Sequence, residues 1–86
     1  MLQIVKNIIK EGKLNDYIEV AKQFTSELDA LVSVNFSKVY VEAGEVYIVI
    51  DWIEQDPNSE MVLFLKYKSK MKPLFISNES IILKEV

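Results

Sequence analysis

Residues 34–53, VNFSKVYVEAGEVYIVIDWI, predict a β-hairpin. Its two arms, residues 34–42 and 45–53, are rich in the β-branched and aromatic side chains that favour strands. The short connection between them contains Gly44, which can take the positive φ of a tight turn. We therefore expect two adjacent antiparallel strands, and the other elements are inferred outward from this pair.

The second arm of the hairpin is apolar on both faces. The even-numbered residues from Val46 to Trp52 fill one face, and Asp51 interrupts an otherwise apolar opposite face. A strand that is apolar on both sides is typically buried on both sides. Because one layer of helices covers one side only, the other would be a larger apolar patch than soluble monomers usually expose. We therefore expect a homodimer in which a second copy packs its sheet against this face; partial cover by loops and the C-terminus is the alternative.

The segment before the hairpin predicts a strand and a helix. Residues 2–9, LQIVKNII, have the pattern of a strand, and a turn follows at Gly12. Residues 14–31 are predicted to be helical because their apolar side chains recur at helical spacing and form one stripe. The members of that stripe are Leu14, Tyr17, Ile18, Ala21, Phe24, Leu28 and Leu31.

The segment after the hairpin is compatible with two structures. Asp56 followed by Pro57 is typical of a helix start, which favours a helix over residues 56–72. Within that range the run LKYKSKMK also alternates as a strand would, so a strand is the alternative. Pro73 would end the helix, and residues 80–85 are predicted to form the last strand.

The resulting order is β-α-β-β-α-β in a single domain spanning residues 1–86. This order is typical of the α+β class and of the ferredoxin-like arrangement, an antiparallel four-stranded sheet with both helices on one face.

Composition excludes several kinds of chemistry. The chain has no Cys, no His and no Arg, and its net charge is −3. Disulfides, Cys/His zinc sites, thiol nucleophiles and histidine-based triads are therefore absent. An acidic chain whose only cations are lysines is not expected to bind nucleic acid. No apolar run is long enough for a membrane span, and lysines interrupt the apolar start, so we expect a cytoplasmic protein without a signal peptide and without membrane contact.

Two segments resemble a known family. Residues 4–31, IVKNIIKEGKLNDYIEVAKQFTSELDAL, resemble the first strand and helix of the antibiotic biosynthesis monooxygenase-like (quinol monooxygenase-like) family. Residues 46–54, VYIVIDWIE, resemble its third strand, which ends in an acidic residue and a Trp. The resemblance covers residues 2–54. It implies a dimeric α/β barrel built from two ferredoxin-like subunits.

The resemblance also implies a function. Members of this family oxidise quinols or polycyclic aromatics with O₂ and no bound cofactor, in a pocket between sheet and helices. Heme-degrading members use a first-strand Asn, a third-strand Trp and a helix His. Residues 58–72, NSEMVLFLKYKSKMK, contain no His, which counts against heme degradation. We therefore expect a cofactor-independent monooxygenase acting on an aromatic or quinol substrate; the alternative is a non-catalytic, dimeric ligand-binding or interaction module of the same fold.

Five residues are candidates for the site. The resemblance matches Asn7 to the family's Asn and Trp52 to its Trp. Asn7 is predicted to donate a hydrogen bond to a developing phenolate, and Trp52 is predicted to form the wall of an aromatic slot. Asp51 is a candidate base because burial in an apolar strand would raise its pKa. Tyr40 and Tyr67 are candidate phenolic donors. For each of them the alternative is a structural role in packing, backbone hydrogen bonding or surface pairing. Because neighbouring residues of a regular strand face opposite sides, Asp51 and Trp52 cannot both line the same pocket.

Overall fold

The order of elements is the predicted one. The computed structural model describes residues 1–86, and every predicted strand and helix is present in it. The elements are β1 (Leu2–Ile9), α1 (Leu14–Asp29), β2 (Val34–Glu42), β3 (Glu45–Trp52), α2 (Pro57–Met71), a 3₁₀ turn (Lys72–Leu74) and β4 (Phe75–Leu83).

The four strands form one antiparallel sheet in the order β2-β3-β1-β4. The pairing register determines which side chains of β3 and β4 lie beside each side chain of β1. Val5 lies opposite Ile48 on β3 and opposite Ser80 on β4, and Asn7 lies opposite Val46 and Asn78 in the same way. Because side chains alternate between the faces of a strand, these residues all share one face of the sheet.

Both helices cover this same face, and the core lies beneath them. The even-numbered residues of β3, from Val46 to Trp52, are almost fully buried there. On α1, four of the five buried side chains belong to the predicted stripe, namely Tyr17, Ala21, Phe24 and Leu28, and the fifth is Thr25. The remaining members of the stripe, Leu14, Ile18 and Leu31, are partly buried against the core. The opposite face has no second layer, and its side chains on β3 are only half-buried.

Local chemistry explains where α2 begins. The Asp56 carboxylate accepts hydrogen bonds from the Ser59 backbone N–H at 3.2 Å and from its hydroxyl at 2.7 Å. Pro57 occupies the first helical position, where its missing N–H costs nothing. Helix is therefore the correct prediction for this segment rather than strand, and Pro73 lies in the 3₁₀ turn that follows.

Three predicted boundaries differ from the structure by two residues or more, and one of them is the end of the last strand at Leu83 rather than at residue 85. The last strand begins at Phe75 rather than at residue 80, because the polar run Ser77–Ser80 belongs to an edge strand that is paired with β1 on one side only. Helix α1 ends at Asp29 rather than at residue 31. The Asp29 carboxylate accepts hydrogen bonds from the Ser37 backbone N–H at 2.7 Å and from its hydroxyl at 2.8 Å, which ties the end of the helix to β2.

Neither helix combines the length and apolar character that crossing a bilayer requires.

Candidate functional site

A cleft of about 210 Å³ lies between α2 and the half of the sheet formed by β1 and β4. It exists because α2 packs mainly on α1 and makes few contacts with the sheet beneath it. Its walls are apolar side chains from both helices and from the sheet: Val5, Phe24, Ile48, Ile50, Phe64 and Met71. Its polar lining consists of Gln3, Glu60, Asn78 and Ser80, together with Tyr17.

A second lobe of about 150 Å³ continues the cleft toward the end of α2. The two lobes share Tyr17, Phe64, Met71 and Asn78. Phe75, Lys68 and Lys72 complete the second lobe. The cleft therefore follows the length of α2, and it is open to solvent along β4, where Asn78 and Ser80 are exposed.

Gln3 forms part of the floor, and both ends of its amide are engaged. Its Oε1 accepts a hydrogen bond from the Trp52 indole Nε1 at 2.9 Å, and its Nε2 donates to Ser80 Oγ at 3.1 Å. An amide nitrogen carries two hydrogens, so one remains for a ligand, as does the hydroxyl hydrogen of Ser80. The indole thus fixes which end of the Gln3 amide faces the cleft.

Asn7 and Asn78 form a second amide pair along the same floor. Asn7 is fully buried, and its Nδ2 is near the carbonyl oxygens of Val46 at 3.3 Å and Val5 at 3.4 Å. Its Oδ1 accepts a hydrogen bond from Asn78 Nδ2 at 2.7 Å. The second amide hydrogen of Asn78 remains available to a ligand in the cleft. Asn7 does not itself line the cleft, but its hydrogen bond orients the Asn78 amide.

Tyr17 borders both lobes. The side chain is only 1% exposed, and its hydroxyl has no hydrogen-bond partner within the chain. Burial raises the pKa of this phenol well above its ordinary value of 10.0, so it stays protonated and can donate. Its ring meets Phe75 edge to face, with the ring centroids 6.3 Å apart.

The charged residues of the cleft lie at its two ends. Glu60, in the first turn of α2, is half-buried and is the sole carboxylate of the lining. Lys68 and Lys72 lie near the other end of the same helix and line the second lobe.

The predicted site residues do not come together in this cleft. Trp52 and Asn7 lie on the sheet face that the helices cover, but behind the floor of the cleft, where they support Gln3 and Asn78. Tyr67 is buried between the helices, where its ring meets that of Phe24 at 5.6 Å. Their direct participation in catalysis stays a prediction.

Asp51 and Tyr40 lie on the opposite face of the sheet. The Asp51 carboxylate accepts a hydrogen bond from Asn35 Nδ2 at 2.9 Å and lies 3.9 Å from the α-amino group of Met1. Tyr40 is about half exposed on β2. Asp51 and Trp52 therefore face opposite sides, as strand alternation requires.

A polar contact between the helices holds α2 over the cleft. Lys66 on α2 donates a hydrogen bond to Glu27 on α1 at 2.5 Å. This bond lowers the pKa of Glu27 and raises that of Lys66. Tyr67 lies beside the same carboxylate, which raises the pKa of its phenol.

Sequence reasoning missed Gln3, Asn78 and Ser80. A signal for Gln3 was present, because polar side chains at positions 3 and 7 occupy the buried face of a strand and so need polar partners. Asn78 and Ser80 are also an even number of residues apart, as side chains on one face of a strand are, but Asn78 lay outside the predicted last strand.

The fold recurs in solved structures. No family model matches the sequence, and no curated protein matches it either. A crystal structure described as "Putative antibiotic biosynthesis monooxygenase" from Bacteroides thetaiotaomicron is 18% identical and has a TM-score of 0.82 over 100% of this chain and 89% of its own. The chain has the antibiotic biosynthesis monooxygenase-like fold.

Two further structures with this fold are similar to the chain. A protein from Nitrosomonas europaea with the same description is 10% identical, with a TM-score of 0.85 over 99% of this chain and 97% of its own. A conserved protein from Methanosarcina mazei is 15% identical, with a TM-score of 0.83 over 99% and 92% of the two chains. At these identities the likeness concerns the fold, and any activity has to be argued from the cleft.

Proposed function

We propose that the chain is a small cofactor-independent monooxygenase acting on an aromatic or quinol substrate in the cleft between α2 and the sheet. The observation that carries this proposal is the composition of the cleft. Apolar and aromatic walls enclose a floor whose amides and hydroxyl still have hydrogens to donate, and the buried phenol of Tyr17 on α1 borders the same cleft. Such a lining suits a flat ring that bears an oxygen acceptor.

The size of the cleft suits one or two aromatic rings. An apolar cavity of about 150 Å³ binds benzene. The first lobe, at about 210 Å³, has room for a substituted ring, and the second lobe extends it. Phe64 on α2 and Ile48 on β3 supply apolar surface for the ring faces.

Glu60 is the proposed base. It removes the proton from a substrate hydroxyl, and the resulting electron-rich anion reacts with O₂ at a ring carbon. For a hydroquinone, the carbon–oxygen bond gives a ring hydroperoxide, which loses water to leave the hydroxyquinone. Hydroquinone and O₂ thus yield hydroxyquinone and water; the substrate supplies the electrons that reduce O₂.

The floor is proposed to stabilise the anion. Gln3 and Ser80 each have a hydrogen to donate toward negative charge that develops on the substrate oxygen, whereas Asn78 borders the second lobe as well. Trp52 and Asn7 are positioning residues in this scheme, because they hold the amides of Gln3 and Asn78 in the donating orientation.

We further propose a homodimer, paired through the sheet face that the helices do not cover. That face carries half-buried and exposed apolar side chains, including Ile4, Val49 and Ile81. Pairing would complete the α/β barrel predicted from the sequence and leave both clefts on the outside.

Oxygen uptake with hydroquinone or anthrone tests the activity. We expect uptake of one O₂ per substrate without release of hydrogen peroxide. Glu60→Gln should lower kcat by about 100-fold or more, because a positioned base contributes at least that much. Glu19→Gln, an exposed carboxylate on α1, is the matched control and should leave the rate unchanged.

A non-catalytic ligand-binding module of the same fold would give a different result in the oxygen-uptake assay. Saturable binding of these aromatics, with no oxygen consumption above that of a protein-free control, would overturn the enzyme proposal in favour of a non-catalytic ligand-binding module.

A further inference from the structure

The two ends of the cleft differ in charge. Glu60 lies in the first turn of α2, and Lys68 lies eight residues further along the same helix. At a rise of about 1.5 Å per residue, the two positions are separated by about 12 Å along the helix axis. Lys72 follows one turn later and lines the same lobe as Lys68. An extended ligand in the cleft therefore meets a carboxylate at one end and ammonium groups at the other.

The two lysines at this end form no ion pairs with the chain. Lys66, on the same helix, is paired with Glu27, whereas neither Lys68 nor Lys72 takes part in a salt bridge. Asn78, with its remaining amide hydrogen, borders the same lobe. The lobe thus offers two cations and a neutral donor to a single ligand group.

We propose that the substrate is an aromatic acid, with its carboxylate in the second lobe near Lys68, Lys72 and Asn78. Its reacting hydroxyl then lies at the other end of the ring system, near Glu60 and Gln3. This inference rests on the proposed function, because it specifies the substrate class of the same cleft.

The charges favour one orientation of such a ligand. In the reverse orientation the carboxylate would lie beside Glu60, where like charges repel, and the lysines would face a neutral hydroxyl. In the proposed orientation the ring system lies between Phe64, Met71 and Tyr17, which border both lobes. Two fused rings with oxygen substituents at opposite ends suit the spacing of about 12 Å between the positions of Glu60 and Lys68 along the helix axis.

A purely structural role for the lysines predicts a different binding pattern. Cations near a helix C-terminus interact favourably with the helix dipole, whether or not a ligand binds. If that were their only role, removing them would weaken the helix without any preference between a charged and a neutral ligand. The discriminating quantity is therefore the ratio of two affinities, which a change in helix stability leaves unaltered.

The experiment compares 6-hydroxy-2-naphthoate with its neutral isostere 6-hydroxy-2-naphthamide, by calorimetric titration of the whole chain at pH 7 and low salt. We expect the naphthoate to bind about fivefold more tightly or better, as two partly exposed charge contacts would give. In the double variant Lys68→Gln/Lys72→Gln the affinity ratio should fall to about one. The double variant Lys13→Gln/Lys22→Gln makes the same change in net charge on exposed residues of α1 and the preceding turn, and should keep the parent ratio.

The outcomes separate this inference from the proposed function. Equal binding of the two ligands to the parent protein would overturn the aromatic-acid inference and leave the monooxygenase proposal standing. A ratio that falls equally in both double variants would also overturn it, since the effect would then come from net charge. Failure of both ligands and of 2-naphthol to bind would overturn the cleft as a binding site for aromatics, and both proposals with it.

Discussion

Gln3 is held at both ends of its amide by side chains that are distant in sequence. The Trp52 indole donates to its oxygen, and its nitrogen donates to Ser80. Gln3 itself is 8% exposed and Trp52 is 1% exposed, so neither can replace a lost partner with bulk water at little cost. Trp52 was predicted to form the wall of a slot, and the hydrogen bond that it makes in the structure is to Gln3 in the floor of the cleft.

This contact predicts a non-additive pair of substitutions. Trp52→Phe should lower the free energy of unfolding by about 1–3 kcal/mol beyond its loss of packing, because the Gln3 oxygen is left without a partner. Adding Gln3→Leu should recover part of that loss, since both polar partners are then gone. Urea denaturation of the parent, the two single variants and the double variant measures the coupling. Strictly additive effects would show that the hydrogen bond contributes nothing.

Helix α2 is the element that forms the outer wall of the cleft. Asp56 caps its beginning, and Lys66 ties it to Glu27 on α1. Hydrogen bonds from the Ser59 side chain and backbone lower the pKa of Asp56. Stabilisation from this cap is therefore present above the ordinary carboxyl pKa and is lost as the pH falls through the lower, folded-state value.

Acid should accordingly loosen α2 through its cap. On lowering the pH from 6 to 2, amide hydrogen exchange in the first turn of α2 should accelerate more in the parent than in Asp56→Asn, after correction for intrinsic exchange rates. The asparagine variant keeps a capping oxygen that does not titrate. Glu27 and Glu45 also have lowered pKa values, but they are present in both proteins, so the difference isolates Asp56. Identical pH profiles would assign the acid response to the other carboxylates.

The sequence predicted elements better than it predicted the site. Strong local signals located α1, the hairpin at Gly44 and the start of α2, because periodicity, turn chemistry and capping act over a few residues. Asn78 could not be assigned to the cleft in the same way, since its role follows from pairing with Asn7, 71 residues away. The face on which Trp52 lies and whether it lines a cavity depend on how the helices pack across the sheet, which the sequence alone does not fix.

The sheet face that the helices do not cover carries a patch of apolar side chains. The apolar residues Ile4 and Val49 are direct partners in the β1–β3 register, and Ile81 lies beside Ile4 on β4. Half-buried or exposed apolar side chains at these positions form the patch on which the homodimer proposal rests.

Disruption of this patch should dissociate the dimer. Val49→Asp places a charge at its centre, and the variant should sediment as a monomer at tens of micromolar, where the parent sediments as a dimer. Val62→Asp makes the same change at an exposed site on α2 and should leave the dimer intact. A parent protein that sediments as a monomer, or equal effects of the two substitutions, would contradict pairing through this face.

Strand β4 contributes alternate residues to two different surfaces. Asn78 and Ser80 face the cleft, while Glu79 and Ile81 face the uncovered side of the sheet. Inserting one residue after Ser77, with the register before the insertion kept, would exchange these roles over residues 78–81. Polar side chains would then enter the proposed interface, and the cleft floor would gain an isoleucine and a carboxylate. The length of this strand is thus constrained by two surfaces at once.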